Sequence, residues 1–323
     1  MKTFEQVLEE LGEGAEPALL VANGFSQAWN PDVFNYANLL EKADFGASNE
    51  VLRGLFNHFQ TYDFEKVMHQ LLGAEAVAMA YGADETVTQK IATDQQVLKD
   101  TLIATIGATH PSRPSDVTSA QFIVARTFLA RFTKVFSLNY DLLLYWARNQ
   151  ELPPAGFSSD DGFRAGRRWA PDEANQNVFF LHGGLHLYDT GEEIKKLAYK
   201  GSGDSIIDQV RDNLAEGRFP LFVSEPTADK KKARIERNPY LSYCYRELAE
   251  LDSVLVVFGH SVHENDKHIF DQIRRSGVSR VYVSLYGDEN TPANARTKAN
   301  AQSFLAKAGR VIDFFSAEST AAW

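Results

Sequence analysis

A chain of 323 residues, 44% of them hydrophobic, can form one large α/β domain carrying an insertion or two modest domains, so core size is no obstacle to folding. A formal net charge of -10 and an isoelectric point near 5.3 argue against broad attraction to nucleic acid or anionic membrane, while a local basic patch could still hold a small anionic ligand. The single cysteine, Cys244, excludes an internal disulfide and a four-cysteine zinc module within the chain, and it fits a reducing, cytoplasmic setting.

The opening MKTFEQVLEELGEG places Phe4, Val7, Leu8 and Leu11 at helical spacing with Gly12 as the stop, and it lacks a signal peptide's apolar centre. No apolar stretch reaches transmembrane length. A first strand, 17–22, runs into Ala22-Asn23-Gly24-Phe25-Ser26. Taken alone, Asn-Gly is a common turn pair. As a site, Gly24 would let a phosphate approach the backbone while Ser26 begins or caps the next helix.

Residues 48–132 contain no convincing strand. Phe64, Val67, Met68, Leu71 and Leu72 make one helical stripe, Leu98, Leu102, Ile103 and Ile106 a second, and Phe122, Ala125, Phe128, Leu129 and Phe132 a third. The spacing predicts a helical insertion, broken by HPSRPSD at 110–116, with Ser115 as an N-cap. The same spacing assigns the aromatic residues to packing and not to base stacking.

The second strand, 134–138, delivers Asn139, Tyr140 and Asp141, and Asp141 is well placed to cap the following helix. The Pro- and Gly-rich stretch 150–176 is predicted irregular. A third strand, 177–181, delivers His182 and Gly183; a fourth, 219–223, precedes Ser224-Glu225-Pro226. The charged run Lys230–Arg234 is most simply a solvated face, although it could overhang a crevice and meet phosphate; Arg164, Arg167 and Arg168 invite the same thought. Further strands at 253–258, 279–285 and 310–315 alternate with helices near 240–251, 264–276 and 292–308, and 253–258 leads into Gly259-His260-Ser261.

Apolar residues run consecutively in most of these strands, the pattern of parallel strands covered on both faces. The predicted fold is therefore α/β, a doubly wound, mostly parallel Rossmann-like sheet formed by 1–47 and 133–323, with 48–132 inserted. Ligands in such a sheet collect beyond the strands' carboxyl ends, where four ends here carry small or polar groups. The G-x-G-x-x-G fingerprint is absent, which argues against an ordinary dehydrogenase. His182 and His186 lie four apart, and His260, His263 and His268 cluster later, but the glycines between the first pair predict a turn, and with no HExxH sequence a metal site is not expected.

Asn23-Gly24-Phe25-Ser26, Asn139-Tyr140-Asp141, His182-Gly183 and Gly259-His260-Ser261, in that order, resemble the motifs of sirtuin-like NAD-consuming domains, especially the divergent bacterial ones associated with anti-phage defence. The resemblance covers roughly 15–45 and 130–320. It departs in three places: the four-cysteine module is missing, Ala22-Asn23-Gly24 replaces Gly-Ala-Gly, and Asn30-Pro31-Asp32-Val33-Phe34 echoes a Pro-Asp-Phe-Arg segment without the arginine.

The resemblance implies NAD as substrate and no metal, with His182, Asn139 and Asp141 catalytic and with Asn23, Gly24, Phe25, Ser26, Gly183, Gly259, His260 and Ser261 binding the dinucleotide. Without the zinc module, which helps frame an acyl-lysine groove, hydrolysis to nicotinamide and ADP-ribose is expected ahead of deacylation. His182 would act as general base toward a ribose hydroxyl or the attacking water. Asn139 would orient ribose and water, and Asp141 would either bind the nicotinamide region or brace its loop. The alternatives are a sensor of NAD or ADP-ribose without turnover and an acyl or ADP-ribosyl transferase. Restraint of such a hydrolase implies a homo-oligomer or a regulatory protein partner, with no membrane and no nucleic acid involved.

Overall fold

Strands that are apolar on consecutive residues need cover on both faces. The computed structural model, which describes residues 1–12, 14–198, 205–216 and 218–323, gives them that cover. The strands are β1 (Ala18–Val21), β2 (Lys134–Ser137), β3 (Val178–Phe180), a hairpin of β4 (Leu187–Asp189) and β5 (Ile194–Lys196), then β6 (Val254–Phe258), β7 (Arg280–Leu285) and β8 (Val311–Ser316). Six of them form one sheet in the order β3-β2-β1-β6-β7-β8, parallel throughout. Leu19, Leu20 and Val21 at its centre are completely enclosed.

This is the expected doubly wound, Rossmann-like α/β arrangement. The chain builds outward from β1 through β2 to β3, then returns to the other side of β1 for β6, β7 and β8. Val21 lies in register with both Ser137 and Phe258, so the reversal falls between β1 and β6. There the loops diverge, at the position where open α/β sheets hold ligands.

The expected strand at 219–223 does not form. Its backbone is used elsewhere: Leu221 N–H donates to Leu187 O (2.6 Å), Leu221 O accepts from Gly184 N–H (2.9 Å), and Phe222 makes an isolated bridge with Gly183. The segment thus braces the turn after β3. The β4–β5 hairpin was not foreseen, because LYDTGEEIKK carries too few apolar residues to signal strands.

Between β1 and β2 the chain is helical, as the stripes predict, with helices at Asn49–His58, Phe64–Ala80, Glu85–Thr109 and Ser119–Leu129. Asp63 caps the second through Glu65 N–H and Lys66 N–H, and Asp84 caps the third through Thr86 N–H. Phe64, Val67, Met68 and Leu71 are buried with Leu98, Leu102 and Ile103, while the far end of this helix pair leaves Val77, Met79 and Tyr81 exposed. The fourth helix is capped by Thr118 and not by Ser115, because Thr118 and Gln121 form a reciprocal capping box and Ser115 falls in a 3₁₀ turn. Its Phe128 packs on Phe258 of β6 (5.6 Å from Phe4 and 5.4 Å from Phe258), so this helix covers the sheet. No helix among the described residues is long and apolar enough to cross a membrane.

Candidate functional site

The turn after β1 is tightly packed. Gly24 N–H donates to Gly259 O (3.0 Å), and a Cβ added at Gly24 would lie 2.5 Å from Gly259 Cα. The two glycines let the β1 and β6 ends touch backbone to backbone, so the space beside Gly24 is filled by protein. The helix that follows starts at Asn23 and not at Ser26, because Ala22 is the last extended residue. Ser26 therefore lies inside the helix, and it is fully buried.

From there Ser26 Oγ donates to Asp141 Oδ2 (2.5 Å) and accepts from Asn139 Nδ2 (2.8 Å). Asp141 Oδ1 accepts from Leu143 N–H (2.9 Å), the capping role its position suggests. Burial pushes the Asp141 carboxyl above its usual range, opposed by the Ser26 hydroxyl and backbone donors. The ends of β1 and β2 are thus joined by one buried polar triad. Ser26→Ala is expected to cost about 1–3 kcal/mol, because it strands a buried carboxylate oxygen and an amide; urea unfolding of the variant beside the wild type reads this directly.

His182 leaves β3 beside this triad, since Leu181 N–H donates to Ser137 O (2.9 Å). Tyr140 links the two: its carbonyl accepts from Leu185 N–H (2.8 Å) and its hydroxyl donates to Val223 O (2.5 Å), while Val223 N–H donates to His182 O (3.0 Å). The His182 imidazole then reaches residues that follow β6. Its Nε2 lies 3.3 Å from His268 Nε2 and 3.9 Å from Asp266 Oδ1. Asp266 Oδ2 is 3.0 Å from His260 Nε2, and His260 Nδ1 accepts from Val262 N–H (2.7 Å), which leaves the His260 proton on Nε2, pointing at the carboxylate. Side chains from both sides of the switch point thereby meet.

Lys231 completes the cluster. Its Nζ is 2.8 Å from Asp266 Oδ1 and 3.0 and 2.9 Å from the two Glu65 oxygens. The residue is 1% exposed, so the expected solvated face fails at this position. His182, Asp266 and His268 have ligand atoms within 4.8 Å of one another, a spacing open to a divalent cation. The donor set does not fit one, because Asp266 already serves an ammonium and an imidazole, and an added cation would confront Lys231.

Burial keeps four imidazoles neutral. His110 is held down to about 4, His186 and His268 to about 3, and His182 well below its ordinary value, in each case chiefly by desolvation. The native state accordingly binds fewer protons than the unfolded chain between the free imidazole value of 6.5 and these depressed values. Stability is expected to be full above pH 6.5 and to fall as pH drops below it. Glu65, raised to about 7, and Asp141 act in the opposite sense as pH rises from about 4, but they are outnumbered. Urea midpoints measured from pH 7.5 to 4.5 test the sign.

The family model DUF4917, described as a domain of unknown function, matches residues 19–323. The chain belongs to this DUF4917 family. No curated protein matches it. The match covers the helical segment and all of the sheet except Ala18 of β1, so every residue of the site above falls within it.

Of the residues singled out in sequence, the structure joins Ser26, Asn139 and Asp141 in one cluster and His182 and His260 in the other. Gly183 has φ +76, and a Cβ there would meet Leu221 O at 2.0 Å, so it admits the bracing segment. Three residues point elsewhere. Asn23 Nδ2 donates to Phe34 O (3.1 Å); Phe25 is buried against Trp323 (5.1 Å) and Phe128; Ser261 is exposed. Arg164 and Arg168 form ion pairs with Asp160 and Glu173. Glu65, Lys231 and Asp266 were missed; a charge surrounded by other charges in sequence carries no sign that it will be buried.

Proposed function

We propose that the protein is a sirtuin-like NAD glycohydrolase, acting at the carboxyl edge of β1, β2, β3 and β6. The observation that carries this is the His182 imidazole: it arises beside the Asn139–Ser26–Asp141 triad and ends against Asp266 and His268, beyond β6. Contacts among these side chains and between Gly24 and Gly259 thereby link the ends of β1, β2, β3 and β6, in the chain order that the sirtuin resemblance implies.

In this reaction the bond between C1′ of the ribose and the nicotinamide nitrogen breaks, and nicotinamide leaves as a neutral base with the bonding pair. A water oxygen bonds to C1′ and gives up a proton. The neutral His182 accepts that proton. The Asn139 amide orients water and ribose, and the Asp141 carboxylate holds the loop through Ser26 and Leu143 while favouring the cationic sugar electrostatically. NAD is the substrate and no metal takes part. We place the enzyme in the cytoplasm, as a homo-oligomer or with a regulatory protein; the exposed Val77, Met79 and Tyr81 at the end of the helix pair supply apolar surface for such contacts.

Incubating the purified protein with NAD and separating the products is the test. Nicotinamide with free ADP-ribose is the expected outcome. A sensor that holds NAD without turnover is the second possibility, favoured by the commitment of Ser26 and Asn139 to internal hydrogen bonds. Intact NAD recovered from a tight complex would select it.

A further inference from the structure

Lys231 lies in the Ala228–Arg237 helix between Lys230, which is exposed, and Lys232, which is partly so, yet it is itself enclosed. Burying an ammonium is costly unless it is fully partnered, so its partners say what it is for. They come from two distant parts of the chain. Glu65 belongs to the first turn of the Phe64–Ala80 helix, within the helical segment between β1 and β2. Asp266 follows β6 and meets His260 with one oxygen and, at 3.9 Å, His182 with the other. One cation therefore lies between the helical segment and the two imidazoles of the crevice.

We propose that Lys231 is a positioning residue: by fixing the Asp266 carboxylate it sets the His182 and His260 imidazoles, and by sharing its ammonium with Glu65 it makes that setting depend on docking of the helical segment. The bearing on turnover rests on the hydrolase proposed above; the bearing on the imidazoles does not. Through this contact the helical segment acts on the site without touching substrate. The titratable groups round Asp266 are Lys231, Glu65, His182, His260 and His268, with Tyr140 beyond them. Of the two acids, Asp266 is held well below its ordinary range by Lys231 and His260, while burial raises Glu65.

The test uses the full chain carrying Lys231→Met together with Glu65→Leu. Above pH 7, where Glu65 is ionised, this pair of changes removes one positive and one negative charge, so the net charge of the cluster is kept there and folding, checked by circular dichroism, is expected. Asp266 loses its ammonium. Ring nitrogen signals of His182, His260 and His268 should then change, and His182 should bind its proton about one pH unit or more higher, because a nearby cation no longer opposes it. Nicotinamide release above pH 7 should fall about tenfold or more through loss of the His182 placement, with the acid limb of the profile moved upward and KM for NAD little changed.

A folded double variant with wild-type ring signals and a wild-type pH profile would overturn the proposal. If the wild type releases no nicotinamide, the hydrolase assignment fails and the ring signals alone decide the role of Lys231. Glu65→Gln covers a misfolded double variant, since it leaves the Lys231–Asp266 pair whole. Above pH 7, where Glu65 is ionised, its loss should alter the His182 and His260 signals, and unaltered signals would refute the link to the helical segment.

Discussion

Replacing His182 with Ala should lower nicotinamide release by roughly a hundred- to ten-thousandfold, the usual contribution of a positioned general base. The expectation follows from place and charge state together. The imidazole is 3% exposed and neutral, so it has a lone pair to offer at physiological pH, and its Nε2 faces His268 and the Asp266 carboxylate. A base of depressed proton affinity is a weak one, which is why the surrounding dipoles must carry part of the barrier. Asn139→Ala should also reduce release, through loss of orientation, and its effect should fall mainly on kcat. Both variants must be shown to fold, since His182 and His268 share a hydrogen bond that either change could disturb. Wild-type rates in two folded variants would remove the site from this crevice.

Gly259→Ala should cost about 3 kcal/mol or more, combining a left-handed backbone with a clash in a packed region. Gly259 has φ +72, and a Cβ there would stand 2.6 Å from Gly24 Cα and 2.7 Å from Phe25 N. The neighbouring atoms are backbone, so no flexible side chain can swing aside. Relief requires the β1 and β6 turns to separate, and these turns flank the Asn139–Ser26–Asp141 triad on one side and His260 on the other. Loss of stability and loss of any ligand binding should therefore go together. Thermal unfolding of Gly259→Ala beside a control such as Gly309→Ala separates the two causes, because Gly309 shares the positive φ but has nothing within 4 Å.

The sheet could be read in advance because its strands are short, apolar on consecutive residues and separated by amphipathic helices, so composition alone requires cover on both faces. Residues 219–223 had the same apolar signal without the outcome. Phe222 and Val223 are buried beneath a turn, and burial by a turn leaves the same trace in sequence as burial by a sheet. The triad of Ser26, Asn139 and Asp141 was visible as polar groups at strand ends, but the bonds among them depend on the strand order, which no local pattern specifies. Lys231 shows the limit most sharply. Its helix reads ADKKKARIER, and only the positions of Glu65 and Asp266, fixed by elements far away in sequence, decide that one lysine of the three is buried.

The most direct measurement is a crystal structure of the protein grown with ADP-ribose. The account predicts density across the β1 and β6 turns, with the ribose within hydrogen-bonding reach of His182 and Asn139 and with the Lys231–Asp266 pair intact. Density elsewhere, such as the cavity of about 250 Å³ bordered by Lys99, Phe222 and Arg234, or no bound ligand at millimolar ADP-ribose, would contradict it.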